Sequence, residues 1–165
     1  MKMDFTTTDL LVEIACDPRR GLWASSTFGR HCKSFKVSGC LPTCASRHSL
    51  LLVGLTASLR DLTCKQHKLI TAETGQRKPR LLIVTRNSGF AKALRAIIAQ
   101  DRAECPLRAG KNFLSIAYQQ LARFTVEIEI DTATGFSNLL TWAQRYQFSP
   151  KLVGGIQASL LSQTT

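Results

Sequence analysis

The carboxylates raise the first chemical question. The stretch VEIACDPRRGLW, Val12 to Trp23, delivers Asp17 to the end of an apolar, strand-like run, and a proline, two arginines and a glycine follow at once. A carboxylate so placed is a candidate first ligand of a catalytic metal site. Hard Mg²⁺ takes oxygen ligands, and a hydrolytic site gathers several of them. The acids that can join Asp17 are Glu127, Glu129 and Asp131, in TVEIEID. Glu127 and Glu129 alternate onto one face, opposite Val126, Ile128 and Ile130, which is also the pattern of an edge strand with a solvated side. Asp131 sits at the strand end.

Other chemistries find less support. There is no Walker loop, dinucleotide fingerprint or GxSxG elbow. The histidines, His31, His48 and His67, lie in basic or loop surroundings. Cys40, Cys44 and His48, with Cys64 and His67 further on, have a metal-like composition without the spacing of a zinc finger. If Arg47 to Leu62 is one helix, its rise of about 1.5 Å per residue separates those two groups by roughly 20 Å. No metal site is expected from them.

Charge is the abnormal bulk property. Lys and Arg total 22 against 11 Asp and Glu, a net charge of +11, in a chain whose 44% apolar residues are ordinary for a folded protein. Such an excess attracts polyanions, nucleic acid first among them. From Pro18 to Arg60 there is no acidic residue, while Arg19, Arg20, Arg30, Lys33, Lys36, Arg47 and Arg60 are present. Solvated surfaces mix signs, so this stretch reads as one binding face. Within it Trp23 is a candidate to stack on a base; packing within a strand is the other reading. No apolar run approaches the roughly 20 residues that span a bilayer, and no segment opposes a long apolar face to a lysine stripe, so no membrane partner is expected. The N-terminus MKMDFTTTDL lacks a signal-peptide core. A cytoplasmic protein with its six cysteines reduced is expected.

The elements that must position these residues follow from hydrophobic period. Leu10 to Cys16 reads as a strand buried on both faces, and Gly21 to Gly29 and Lys33 to Ser38 alternate as its antiparallel partners. Ser46 or Thr43 can cap an apolar helix carrying Leu50, Leu51, Val53, Leu55, Leu59 and Leu62, with Gly54 allowing close approach to a sheet. Residues 63–80 read as a basic loop. Arg80 to Thr85 is a buried strand, Phe90 to Ala99 and Phe113 to Arg123 are helices, Thr125 to Ile130 is a strand and Phe136 to Tyr146 is a last helix.

That order, three strands, helix, strand, two helices, strand, helix, resembles the ribonuclease H-like superfamily. The resemblance runs from about Leu10 to Tyr146. VEIACD resembles the family's first strand and its terminal aspartate; SRHSLLLVGL resembles the start of its first helix; LLIVTRNSGFAKAL resembles its fourth strand and the turn into the second helix. The resemblance implies an α/β fold with a five-stranded mixed sheet, a three-strand antiparallel meander plus two parallel strands, and helices on both faces. It also implies where two-metal phosphodiester hydrolysis would be built. Of the four carboxylate positions, Asp17 matches the first. Ser49, beside His48, stands at the second, Arg86 or Asn87 at the third, and Asn138 near the fourth. Read this way the chain is a degenerate member. A cation at Arg86 repels a metal and would pair with Asp17.

Residues 1–147 are thus expected to form one domain and 148–165 a tail that could dock elsewhere. The function expected first is a non-catalytic nucleic-acid-binding module, a subunit of a larger nucleoprotein complex, using Arg19, Arg20, Trp23, Arg30, Lys33, Lys36, Arg47 and Arg86 on RNA duplex, RNA–DNA hybrid or DNA duplex, with no cofactor. Two alternatives remain. One is a nuclease with an altered acid set, Asp17 with Asp131 or Glu129, requiring Mg²⁺. The other is a structural subunit whose charge contacts an acidic protein.

Overall fold

A computed structural model of the chain describes residues 7–30, 33–41, 46–65, 68, 75, 77–99, 111–131 and 135–146. The elements are β1 (Leu10–Asp17), β2 (Leu22–Gly29), β3 (Phe35–Cys40), α1 (Arg47–Lys65), β4 (Arg80–Thr85), α2 (Ser88–Ile98), α3 (Lys111–Leu121), β5 (Thr125–Ile130) and α4 (Gly135–Tyr146). They form one five-stranded sheet in the order β3-β2-β1-β4-β5. β1, β2 and β3 make the antiparallel meander, while β4 runs parallel to β1 and β5 parallel to β4. This is a ribonuclease H-like topology.

β1 is central and carries apolar side chains on both faces, as its near-continuous hydrophobic run requires. Leu10, Val12 and Ile14 join Leu81 and Ile83 of β4 beneath α1, α2 and α3. Leu11 and Ala15 join Leu22, Ala24 and Val84 beneath Leu139 and Ala143 of α4.

Trp23 is fully buried on the α1 side of the sheet. Two glycines make room for its indole. A Cβ on Gly39 would lie 2.6 Å from Trp23 Cζ2, and one on Gly54 of α1 would lie 3.2 Å from Ile14 Cγ2 and 3.3 Å from Trp23 Cε3. This corrects the expectation that Trp23 stacks on a base: its ring is core. The same packing explains why β3 runs to Cys40 instead of ending at Ser38. Gly39 pairs with Trp23 and Cys40 with Leu22, so the glycine that reads as a strand terminator is the one residue that fits over the indole.

Helix ends also differ from the periodicity. Ser46 caps α1, its Oγ accepting from Ser49 N at 3.1 Å, as expected; Thr43 lies outside the described residues. α1 continues past Leu62 to Lys65. α2 begins at Ser88, before Phe90, because Asn87 Oδ1 accepts from Phe90 N at 2.8 Å. The segment 148–165, the loop carrying His67 and the turn carrying Cys44 lie outside the described residues. No described helix is long and apolar enough to cross a membrane.

At the other end of β1, Asp9 ties the meander to the parallel strands. Its carboxylate accepts from Arg77 Nη1 at 2.7 Å, Arg77 Nη2 at 2.9 Å and Arg80 N at 2.8 Å. The Arg77 hydrogen bonds hold the Asp9 carboxyl below the usual carboxylate range.

Gly39→Ala is expected to destabilise the fold by about 1–3 kcal/mol, since the added methyl overlaps a rigid ring. A lowered urea midpoint at unchanged slope is the readout, and a midpoint equal to the wild type's would show that the indole is not wedged. Asp9→Asn is expected to destabilise at neutral pH. Because the native carboxylate binds its proton less tightly than the unfolded one, the difference between wild type and variant is full above pH 3.8 and shrinks as pH falls through the native value. A difference that stays constant down to pH 2 would refute the clamp.

Candidate functional site

The end of the sheet where β1, β4 and β5 finish is the end at which the family gathers its carboxylates. Asp17 lies there in a tight turn. Its main-chain carbonyl accepts from Arg20 N at 3.2 Å, and Pro18 O accepts from Gly21 N at 3.4 Å. Gly21 has φ 63°, a left-handed conformation that favours glycine. Asp17 Oδ1 accepts from Arg19 N at 3.1 Å, an Asx-turn bond, and Arg20 Nε stands 3.8 Å from Oδ2. The Arg20 pair is largely solvated and adds little. Asp17 thus serves its own turn. The expected Asp17–Arg86 pair is corrected: the contacts of the Asp17 carboxylate among the described residues are those with Arg19 and Arg20.

The start of α1 is drawn to the same end. Cys16 Sγ lies 3.8 Å from Arg47 O, and burial pushes the Cys16 thiol up to about 11, so it stays protonated and inert as a nucleophile. Ser49 Oγ lies 2.9 Å from Ser46 Oγ within the cap. His48 packs on the start of α2, its ring 6.3 Å from that of Phe90, and a Cβ on Gly89 would lie 3.1 Å from His48 Nε2. Arg86 is exposed directly after β4. Its neighbour Asn87 is spent as the α2 cap and donates from N to Thr85 Oγ1 at 3.2 Å. Asn138 is exposed in the first turn of α4, the helix on the opposite face.

On β5, Glu127 and Glu129 are exposed, as a solvated edge requires. Asp131 continues the strand, donating from N to Thr85 O at 3.1 Å. Among the described residues no three His, Cys, Asp or Glu side chains come together as a metal site would need. At the four positions the resemblance implies, the described residues are one carboxylate in its own turn, a serine in a cap, an arginine and an asparagine, which by themselves are not the oxygen-rich donor set of a divalent metal pair.

The acid that sequence reasoning passed over is Glu13. It lies in mid-β1 on the α4 side, in one row with Lys36 and Ser26 on one hand and Val84 and Glu129 on the other. Burial raises its pKa and the negative charge of Asp131 raises it further, while Lys36 opposes both. The signal was present, since Glu13 is the one charged residue inside LLVEIAC.

The basic residues do not form the single face expected. Arg19, Arg20, Arg47 and Arg86 gather at the Asp17 end, all exposed. Arg30 follows β2 and Lys33 precedes β3, which puts both at the far end of an eight-residue strand, about 25 Å away at about 3.3 Å per residue. Lys36 stands between, its Nζ 5.5 Å from the ring centroid of Trp142 on α4. No protein-family profile matches the chain, and no curated protein matches it in sequence.

A pH test isolates Glu13. The native state binds its proton more tightly than the unfolded chain, so stability falls as pH rises from 4.5 through the raised native value. Glu13→Gln is expected to be more stable than the wild type at pH 7, with the advantage vanishing below pH 4.5. Equal melting temperatures at pH 7 would show that the carboxylate is well solvated.

Proposed function

We propose that the chain is a degenerate ribonuclease H-like module that binds nucleic acid through its phosphate backbone without cleaving it, as a subunit of a larger nucleoprotein complex. One observation carries the reading. Where the family's topology gathers metal-binding carboxylates, this chain presents Arg19, Arg20, Arg47 and Arg86, and Asp17, the one carboxylate at the four positions the resemblance implies, is held by its own turn. Cations at a phosphodiester site contact phosphate directly, and the net charge of +11 supplies long-range attraction. Guanidinium groups suit the task, because their planar forks match phosphate oxygens.

The test is titration of the full chain with fluorescent RNA duplex, RNA–DNA hybrid, DNA duplex and single strands, across a salt series with Mg²⁺ present, the products being run on a gel. Intact nucleic acid is expected, with log affinity falling by about 0.9 per decade of salt for each phosphate contacted. Arg19→Glu with Arg20→Glu is expected to weaken binding evenly across sequences and to lower the salt slope by about 2. Mg²⁺-dependent cleavage that Asp17→Asn abolishes would establish the nuclease instead. Absence of salt-dependent binding would turn the search to an acidic protein partner.

A further inference from the structure

We infer that the chain carries a second phosphate-binding surface at the end of the sheet opposite Asp17, so that one molecule holds two nucleic-acid segments at once. The inference takes its ligand class from the proposed function, but stands on a different part of the molecule.

Three separate pieces of chain converge there on Asp9 and β4. Arg30 N, at the end of β2, donates to Asp9 O at 3.0 Å. The segment leading into β4 brings Arg77 and Arg80 N onto the Asp9 carboxylate. The turn into β5 is fixed where Thr125 N donates to Pro79 O at 2.9 Å, two residues after Arg123. Arg30, Arg77, Lys78, Arg80 and Arg123 are all exposed, whereas Asp9 is only 8% exposed. Five exposed cations thus lie at the end of the sheet where the one buried carboxylate, Asp9, is already occupied by three donors, from Arg77 and from Arg80 N.

Only part of that charge has structural work. Arg77 holds Asp9, and Arg80 Nη1 reaches Thr7 O at 3.4 Å. The side chains of Arg30, Lys78 and Arg123 make no ion pair or hydrogen bond among the described residues. Like charges gathered at one end of a sheet attract a polyanion. Protein interfaces are centred on buried apolar or aromatic anchors. Here Phe124 and Pro79, the apolar residues between the cations, are buried, so that among the described residues this surface presents charge without an apolar anchor, which favours a phosphate backbone over an acidic protein.

Geometry separates this surface from the first. The eight residues of β1 lie between Asp9 and the turn after Asp17, about 25 Å at about 3.3 Å per residue. The two ends point away from each other along the strands. A duplex lying across one end, at right angles to the strands, does not reach the other.

The experiment uses the full chain and three variants: Arg19→Glu with Arg20→Glu at the Asp17 end; Arg30→Glu, Lys78→Glu and Arg123→Glu at the Asp9 end, leaving the clamp intact; and the two sets combined. Each is titrated with a fluorescent RNA duplex across a salt series. Each is also asked to link an immobilised duplex to a second, fluorescent one, with sedimentation to establish that the linking species is a monomer. The wild type is expected to link duplexes. Each single-end variant is expected to bind one duplex with a shallower salt slope, by about 1 per contact removed, and to lose linking at least tenfold. A glutamine set, Arg30→Gln, Lys78→Gln and Arg123→Gln, should do the same with an unchanged melting temperature. The inference is overturned if the wild type binds without linking, if it links only as a dimer, if the Asp9-end variant keeps its salt slope, or if that end captures polyglutamate in preference to duplex. If only the Asp17-end variant loses binding, the proposed function survives and the second surface does not. If only the Asp9-end variant loses binding, the Asp17 end is the wrong site and the two-surface inference also fails.

Discussion

The burial of Trp23 is the constraint on which the arrangement depends. Its indole fills the space between the meander and α1, and it does so only because Gly39 lies over it within the sheet and Gly54 faces it from the helix. With Gly54 against Ile14 and Trp23, the axis of α1 settles close to β1 and β2. That closeness brings the first turn of α1 to the end of β1, where Cys16 meets Arg47 O, and sets His48 against Gly89 and Phe90 at the start of α2. The convergence of Asp17, Ser49 and Arg86 at one end of the molecule is thus a consequence of core packing. It does not require the residues at those positions to do chemistry. Topology and catalytic competence can part company in this way because fold is fixed by burial and function by a few side chains at its edge.

Much of the architecture was legible in local pattern. β1, β2 and β4 stand out because an apolar run or strict alternation has few other ways to bury itself, and α2 because Phe90, Leu94 and Ile97 recur at helical spacing and are all buried. The misplaced end of β3 shows the limit. A glycine in a strand signals a bulge, an end or a close approach, and only the partner residue across the sheet, Trp23, tells which. Capping shifted α2 for a similar reason, since Asn87 reads as a candidate ligand until its oxygen is found on Phe90 N.

The candidate site was harder to read, because charge in sequence is not charge in space. The acid-free stretch from Pro18 to Arg60 looks like one face, yet it follows a chain that reverses at each strand. Arg19 and Arg20 fall at one end of the sheet, Arg30 and Lys33 at the other, and Arg47 back at the first. The Asp9 clamp was invisible for the opposite reason: Asp9 and Arg77 are 68 residues apart, and nothing local marks them as partners. Glu13 lay in plain view, but its half-buried state depends on what α4 and Asp131 bring to the other side.

On the proposed reading, the loss of acids and the gain of arginines at the Asp17 end are one change. Four clustered carboxylates tolerate a phosphodiester only when divalent ions stand between the like charges; without the ions the same cluster repels nucleic acid. A chain that gives up the metals must therefore also give up most of the acids if the surface is still to meet phosphate. Ser49 and Asn138 at two of the positions remove negative charge, Arg86 reverses it at a third, and the remaining carboxylate is kept close to home by Arg19 N and Arg20. On that reading the sign of the site would be inverted while its place in the fold is kept. A scaffold that once needed ions to mediate contact with phosphate would then make that contact with its own side chains, at the expense of the chemistry the ions supplied.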